Sequence, residues 1–211
     1  MKIKELLLIL LLLIPLLYLA MIWGDLPREI PLHWNAKGEI DRIGDKNELF
    51  IVLSLINIPL YFILLIVPFI DPKKKVQLHS KAYFQIRLLL QFFMAILSVF
   101  IIHSTLVRSL GSPNIILTLV GTLFFGLGFV FSSIKSNYFV GIRTPWTLED
   151  PENWNRTHSL ASVVWKIGGG LLILSSLIWK SESYIVFFIG VCVLIAMIPI
   201  AYSFWYFKKN S

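Results

Sequence analysis

The sequence predicts an all-α integral membrane protein, a six-transmembrane-helix bundle with its N- and C-termini cytoplasmic. Three observations predict it. Of 211 residues, 57% are apolar and 15% charged, with a mean hydropathy of +0.78. Soluble domains hold about 45–50% apolar and about 25% charged residues. The charged residues are clustered, which leaves six long apolar runs. Lys and Arg are also divided unequally among the segments that join those runs.

A bilayer core of about 30 Å takes roughly 20 apolar residues in a helix. The qualifying runs are Leu6 to Trp23, Leu49 to Ile70, Ala82 to Val107, Ile115 to Ile134, Leu160 to Trp179 and Tyr184 to Phe207. The first follows Lys2 and Lys4. It is read as a retained helix, because its apolar stretch exceeds the about 7–15 residues of a signal peptide and no A-x-A site follows. The expectation is one polytopic membrane domain over residues 1–211, without internal repeats.

Orientation follows from the basic residues. With the N-terminus inside, the inner segments hold eleven: Lys2, Lys4, Lys73, Lys74, Lys75, Lys81, Lys135, Arg143, Arg156, Lys208 and Lys209. The outer segments hold six: Arg28, Lys37, Arg42, Lys46, Arg108 and Lys180. Positive charge accumulates on cytoplasmic loops. The same distribution accounts for the net charge of +7 without invoking nucleic acid. The one cysteine, Cys192, lies inside an apolar run. It forms no intrachain disulfide or Cys-based zinc site and is read as a small packing residue.

Two connecting segments are long: an extracellular loop over residues 24–48 and a cytoplasmic loop over 135–159. The outer one is dense in turn formers, namely Pro27, Pro31, Asn35, Gly38 and Gly44, which predicts a fixed shape. Within it His33, Trp34, Asp41 and Lys46 are the ligand-binding candidates. Trp34 also suits an interfacial anchor. His33 lacks the spaced partners of a metal site, so neither metal nor cofactor is expected. Acidic side chains (Asp25, Glu29, Glu39, Asp41, Asp45, Glu48) outnumber the basic ones in this loop, which favours a cationic ligand.

The inner loop ends on a helix start. Asp150 suits the N-cap, Pro151 the first turn and Glu152 the positive helix end. A helix from there to Trp179 has about 29 residues and is roughly 43 Å long. Trp154, His158 and Ser162 then share a face, with Trp165 and Lys166 close to it. In the third run Tyr83, Arg87 and Gln91 share another. Together they predict a polar cavity on the cytoplasmic side, lined by Arg87, Gln91, His158 and Lys166 with Arg143 at its mouth. It would suit a phosphate headgroup or a peptide carboxylate. The alternative is that Arg87 and Lys166 snorkel to the interface. Asn57 and His103 are expected to bond between helices, and Gly168 to Gly170 to permit close helix contact or a bend.

The residues Asn137, Gly141-Ile-Arg-Thr-Pro-Trp-Thr-Leu148, Trp154 and Thr157-His158 resemble the signature of the SdpI family of bacterial membrane immunity proteins. Pro31, His33, Trp34, Gly38, Asp41, Gly44 and Lys46 look like the small uncharacterised domain that often precedes it. With their helices the two regions cover nearly the whole chain. The resemblance implies a multi-pass protein that protects against a secreted, membrane-active peptide toxin. It also implies signalling through a transcriptional repressor held at the membrane. The expected partners are membrane lipids, the toxin and that cytoplasmic repressor. On the inner side Asn137, Arg143, Trp146, Trp154, His158, Arg87, Gln91 and Lys166 are the candidates for ligand binding or signalling.

Two other classes compete. A lipid or peptide transporter fits the topology, but proton-coupled pumps carry Asp or Glu within their helices and none lies mid-run here. A membrane enzyme lacks support from any His-Glu-x-x-His, Gly-x-Ser-x-Gly or phosphate-cradling loop. No catalytic residue is assigned.

Overall fold

The computed structural model describes residues 2–72, 76–78, 80–178 and 184–210. Lys73 to Lys75 and Lys180, which weigh in the orientation, and Trp179, the expected end of the fifth run, lie outside the described residues. Six helices are long and apolar enough to cross a membrane. They are α1 (Lys2–Ile22), α2 (Lys46–Ile70), α3 (Lys81–Val107), α4 (Asn114–Val130), α6 (Pro151–Ile178) and α7 (Tyr184–Asn210). Each expected run lies on one of them, and the protein is a multi-pass membrane protein. Within each span's most apolar stretch 22–33% of residues are buried in the protein. The exposed remainder, for example Leu17, Ile63 and Leu174, is what lipid covers.

Two elements add to the expected six helices and their loops. The outer loop folds as an antiparallel hairpin of β1 (Glu29–Trp34) and β2 (Ile40–Asp45). Its prolines and glycines signal turns, but the strands are short and their pairing is irregular around His33, so period-two alternation is faint. A one-turn helix, α5 (Pro145–Glu149), interrupts the inner loop. Thr144 caps it and Pro145 opens it, which suits both residues.

Helices α1 and α2 pack on α3, α4 on α6, and α6 on α7, while α3 against α4 joins the two groups. The α4–α6 contact depends on absent side chains. A Cβ on Gly169 would meet the backbone of Phe125, and one on Gly128 the backbone of Lys166 at 2.8 Å. Close backbone approach is how helices gain packing energy in lipid, where hydrophobic burial gives none. The Gly168–Gly170 run thus serves contact rather than a bend, since α6 runs through it.

Two prolines are matched by donors on neighbouring helices. A proline leaves the carbonyl four residues earlier without its N–H partner. For Pro68 that carbonyl is Leu64, and the Tyr83 hydroxyl of α3 donates to it at 2.6 Å. For Pro199 it is Ile195, which accepts from Trp165 Nε1 of α6 at 3.0 Å. Unpaired backbone groups are costly away from water, so each aromatic satisfies the carbonyl that its proline leaves free. Asn57 bonds Ser98 across α2–α3 at 3.0 Å, and Tyr18 meets His103 across α1–α3 at 3.3 Å.

Candidate functional site

At one end of the bundle the hairpin is tied down from several sides. Asp45 caps α2, with Glu48 completing a capping box. Thr105 donates to the Pro31 carbonyl and Arg108 to that of Glu29, both at 3.2 Å. Ile30 is fully buried in a core with Leu19, Leu26, Leu49, Leu53 and Ile102. The tip is an Asn-centred turn. The Asn35 Oδ1 accepts from Lys37 N and Glu39 N, and Gly38 takes a positive φ of 82°, which glycine adopts without strain.

The outer-loop candidates separate here. His33 Nδ1 lies 2.6 Å from Asp41 Oδ1, and both side chains are exposed. Trp34 is half-buried, and its indole N–H is buried without an acceptor among the described residues. Both His33 and Trp34 line a cavity of about 450 Å³ between the hairpin tip, the start of α4 and the start of α7. Lys46 turns the other way. Its ammonium donates to the carbonyls of Trp23 (2.9 Å) and Leu26 (3.2 Å) and lies over the Trp23 ring. It closes the C-terminal end of α1, where carbonyls lack helical partners and a cation is favourable.

At the opposite end residues 133–150 form a closed knot. Asn137 is buried with all its amide positions used. Its Nδ2 donates to Lys135 O and Val140 O, and its Oδ1 accepts from Phe139 N and Val140 N, all within 2.9 Å. Gly141 has φ of 115°, and a Cβ there would press on the His158 imidazole and the Trp154 ring. Trp154 stacks on His158 with centroids 4.0 Å apart and donates to Ile134 O at 2.7 Å. His158 Nε2 accepts the Ile142 N–H at 3.0 Å, and Nδ1 meets the Trp154 carbonyl at 2.8 Å. A ring nitrogen that accepts an N–H is unprotonated, and one facing a carbonyl carries the proton. These partners therefore assign the neutral Nδ1–H tautomer, with neither nitrogen left for a ligand.

The knot is fastened to α7 as well. Thr144 meets Ser203 Oγ at 3.2 Å, and Asn153 donates to the Ser203 carbonyl at 2.9 Å. Trp146 packs on Phe204 and Phe207. Thr147 is fully buried and donates to Ile142 O. Arg143 is exposed and donates to Tyr138 O.

The predicted cavity of Arg87, Gln91, His158 and Lys166 is not formed. Arg87 is buried and makes a two-pronged ion pair with Glu5 of α1, at 2.6 and 2.9 Å, with Tyr61 beside it. It therefore does not snorkel either. Gln91 is buried, and its amide nitrogen has no partner among the described residues. His158 belongs to the knot on the other half of the bundle. The Lys166 ammonium lies over the Phe129 ring at 5.2 Å. Spacing by four placed each residue on the correct helix face, since Tyr83, Arg87, Gln91, Trp154 and His158 are all buried, but it did not say which helix each face meets. Glu5 stands just outside the apolar run that starts at Leu6, whereas α1 begins at Lys2 and so includes it. Its place as a lone carboxylate between Lys4 and the apolar run is the signal that points to it.

Six spans, a hairpin after the first and a hydrogen-bonded knot before the fifth define a particular class of multi-pass membrane protein. The chain belongs to the SdpI/YfhL protein family, whose model matches residues 133–203. Residues 10–58 match a domain of unknown function, DUF1648, which takes in the hairpin. The chain is 31% identical over 191 residues to the immunity protein SdpI of Bacillus subtilis (strain 168), covering 87% of this chain and 86% of that protein. No solved structure matches the chain.

Proposed function

We propose that the protein confers immunity to a secreted, membrane-active peptide, which it meets at the hairpin end. The observation that carries this reading is the cavity of about 450 Å³ beneath the hairpin tip, with His33 and Trp34 on its wall. The exposed His33–Asp41 pair at the rim adds a carboxylate for a cationic residue. The similarity to an immunity protein over most of both chains supports the same reading.

On the positive-inside assignment both termini and the knot face the cytoplasm, and the hairpin faces outward. The finer proposal is that the knot's surface, with exposed Lys135 and Arg143, receives a cytoplasmic repressor when peptide is bound. Ligand binding can signal only by favouring one conformation over another.

The test is survival of a sensitive bacterium that expresses the protein and is challenged with the producer's secreted peptides. Ala substitutions at His33, Trp34 and Asp41 are expected to remove protection while leaving membrane expression intact. Full protection by all three well-expressed variants would refute the reading.

A further inference from the structure

A cavity of about 250 Å³ lies between the start of α3 and the residues that follow α4. Ser80, Lys81 and Tyr83 line one side, and Ser133, Lys135 and Asn137 the other. Tyr83 and Asn137 are committed to the Leu64 carbonyl and to the knot. The two lysines are exposed, and neither ammonium has an ion-pair or hydrogen-bond partner among the described residues. No carboxylate is among the described lining residues. Asp71, nearby in sequence, is buried and accepts the Val76 N–H at 3.0 Å. The pocket therefore offers two uncompensated cations to an anion.

This pocket does not end blindly. Ile86, Ile134 and Val140 line it and also line a second cavity of about 340 Å³. The second is a groove along the α2, α3 and α4 spans, walled by residues such as Leu64, Leu90 and Leu127. The one polar side-chain group on its wall among the described residues, the Trp165 indole N–H, is already bonded to Ile195 O. A basic compartment at the end of the spans thus continues into an apolar one within them.

We propose that this composite pocket binds one anionic phospholipid, with its phosphate between Lys81 and Lys135 and one acyl chain in the groove. A free phosphate would leave the groove unfilled. A peptide would fill it only by leaving backbone N–H and C=O groups unpaired in an apolar channel, which is costly; an acyl chain has no such groups. The lipid would bridge α3 to the Asn137 knot and so hold the two halves of the bundle together at this end.

Native mass spectrometry of the purified full-length protein tests this, with phosphatidylglycerol and phosphatidylcholine of identical chains as probes. Two lysines near an anionic headgroup contribute about fivefold each, so phosphatidylglycerol should be retained roughly 25-fold better. Lys81→Gln with Lys135→Gln should bring its retention down to that of phosphatidylcholine. Both lysines are exposed, so the double variant should keep the wild-type unfolding temperature. Leu90→Trp, which fills the groove, should reduce retention of both lipids. Equal retention of the two lipids by the wild type, or no loss in the double variant, would overturn the proposal. Displacement of phosphatidylglycerol by inorganic phosphate alone would overturn it in favour of a simple anion site.

Discussion

The two ends of the bundle use their polar residues in opposite ways. In the knot, Asn137, Thr147, Trp154 and His158 are buried and hydrogen-bonded to the protein itself. At the hairpin end, His33 and Asp41 bond each other in an exposed position and have no further partner among the described residues. Satisfied buried networks rigidify a fold. Exposed polar groups beside a cavity are what a ligand can use. The comparison teaches that the longest recognisable sequence run is scaffold, whereas the less distinctive hairpin holds the groups still available for binding. Substitutions should therefore divide into those that lose the fold at the knot and those that lose only protection at the hairpin.

The largest effect is expected from Gly141→Ala. It imposes a side chain at a φ of 115°, worth about 1–3 kcal/mol of strain. It also overpacks His158 and Trp154, worth about 1–3 kcal/mol more. A loss of about 4 kcal/mol, or failure to accumulate folded protein, should appear in thermal unfolding in detergent. An unfolding temperature equal to wild type would break the comparison at its scaffold side. Arg87→Ala comes next. Removing one member of a buried ion pair costs about 3–5 kcal/mol, and the low end applies because the Glu5 side chain stays a quarter exposed. Replacing both, Arg87→Met with Glu5→Leu, should recover most of that loss, since no charge is then stranded.

Tyr83→Phe sharpens the same side at smaller scale. It deletes the donor to the carbonyl freed by Pro68 and should cost about 1–2 kcal/mol. In the background of Pro68→Ala, where α2 regains the residue-68 N–H as a donor to the Leu64 carbonyl, the hydroxyl should matter less. A double-mutant cycle on unfolding midpoints reads this coupling. Equal costs in both backgrounds would show that the two features are independent.

The spans were legible because twenty apolar residues in a row admit one structure in a bilayer. Helix faces were legible too, and the buried positions of Arg87, Gln91, Trp154 and His158 follow from spacing by four. The partners were not. Arg87 meets Glu5, 82 positions away, and no local pattern encodes the order in which helices surround one another. The hairpin escaped because six-residue strands with a bulge carry little period-two signal. The roles within the inner loop were hidden for a different reason. Histidine, asparagine and arginine bind ligands and tie backbones with the same atoms, and only the positive φ of Gly141 and the carbonyls around Asn137 distinguish the two uses.

The smallest effect on stability is expected from His33→Gln and Asp41→Asn, and it bears most directly on the contrast between the ends. Their 2.6 Å contact is short, but the side chains are 65% and 42% exposed. Exposed ion pairs contribute about 0–1 kcal/mol and weaken further with salt. Each substitution should therefore leave the unfolding temperature within error of wild type at moderate ionic strength. If the pair is a contact for the peptide, protection should fall sharply for Asp41→Asn, which removes the rim carboxylate from a cationic ligand, and less for His33→Gln, which keeps a hydrogen-bonding side chain. Protection and stability falling together would make the hairpin a second piece of scaffold and end the contrast between the two ends.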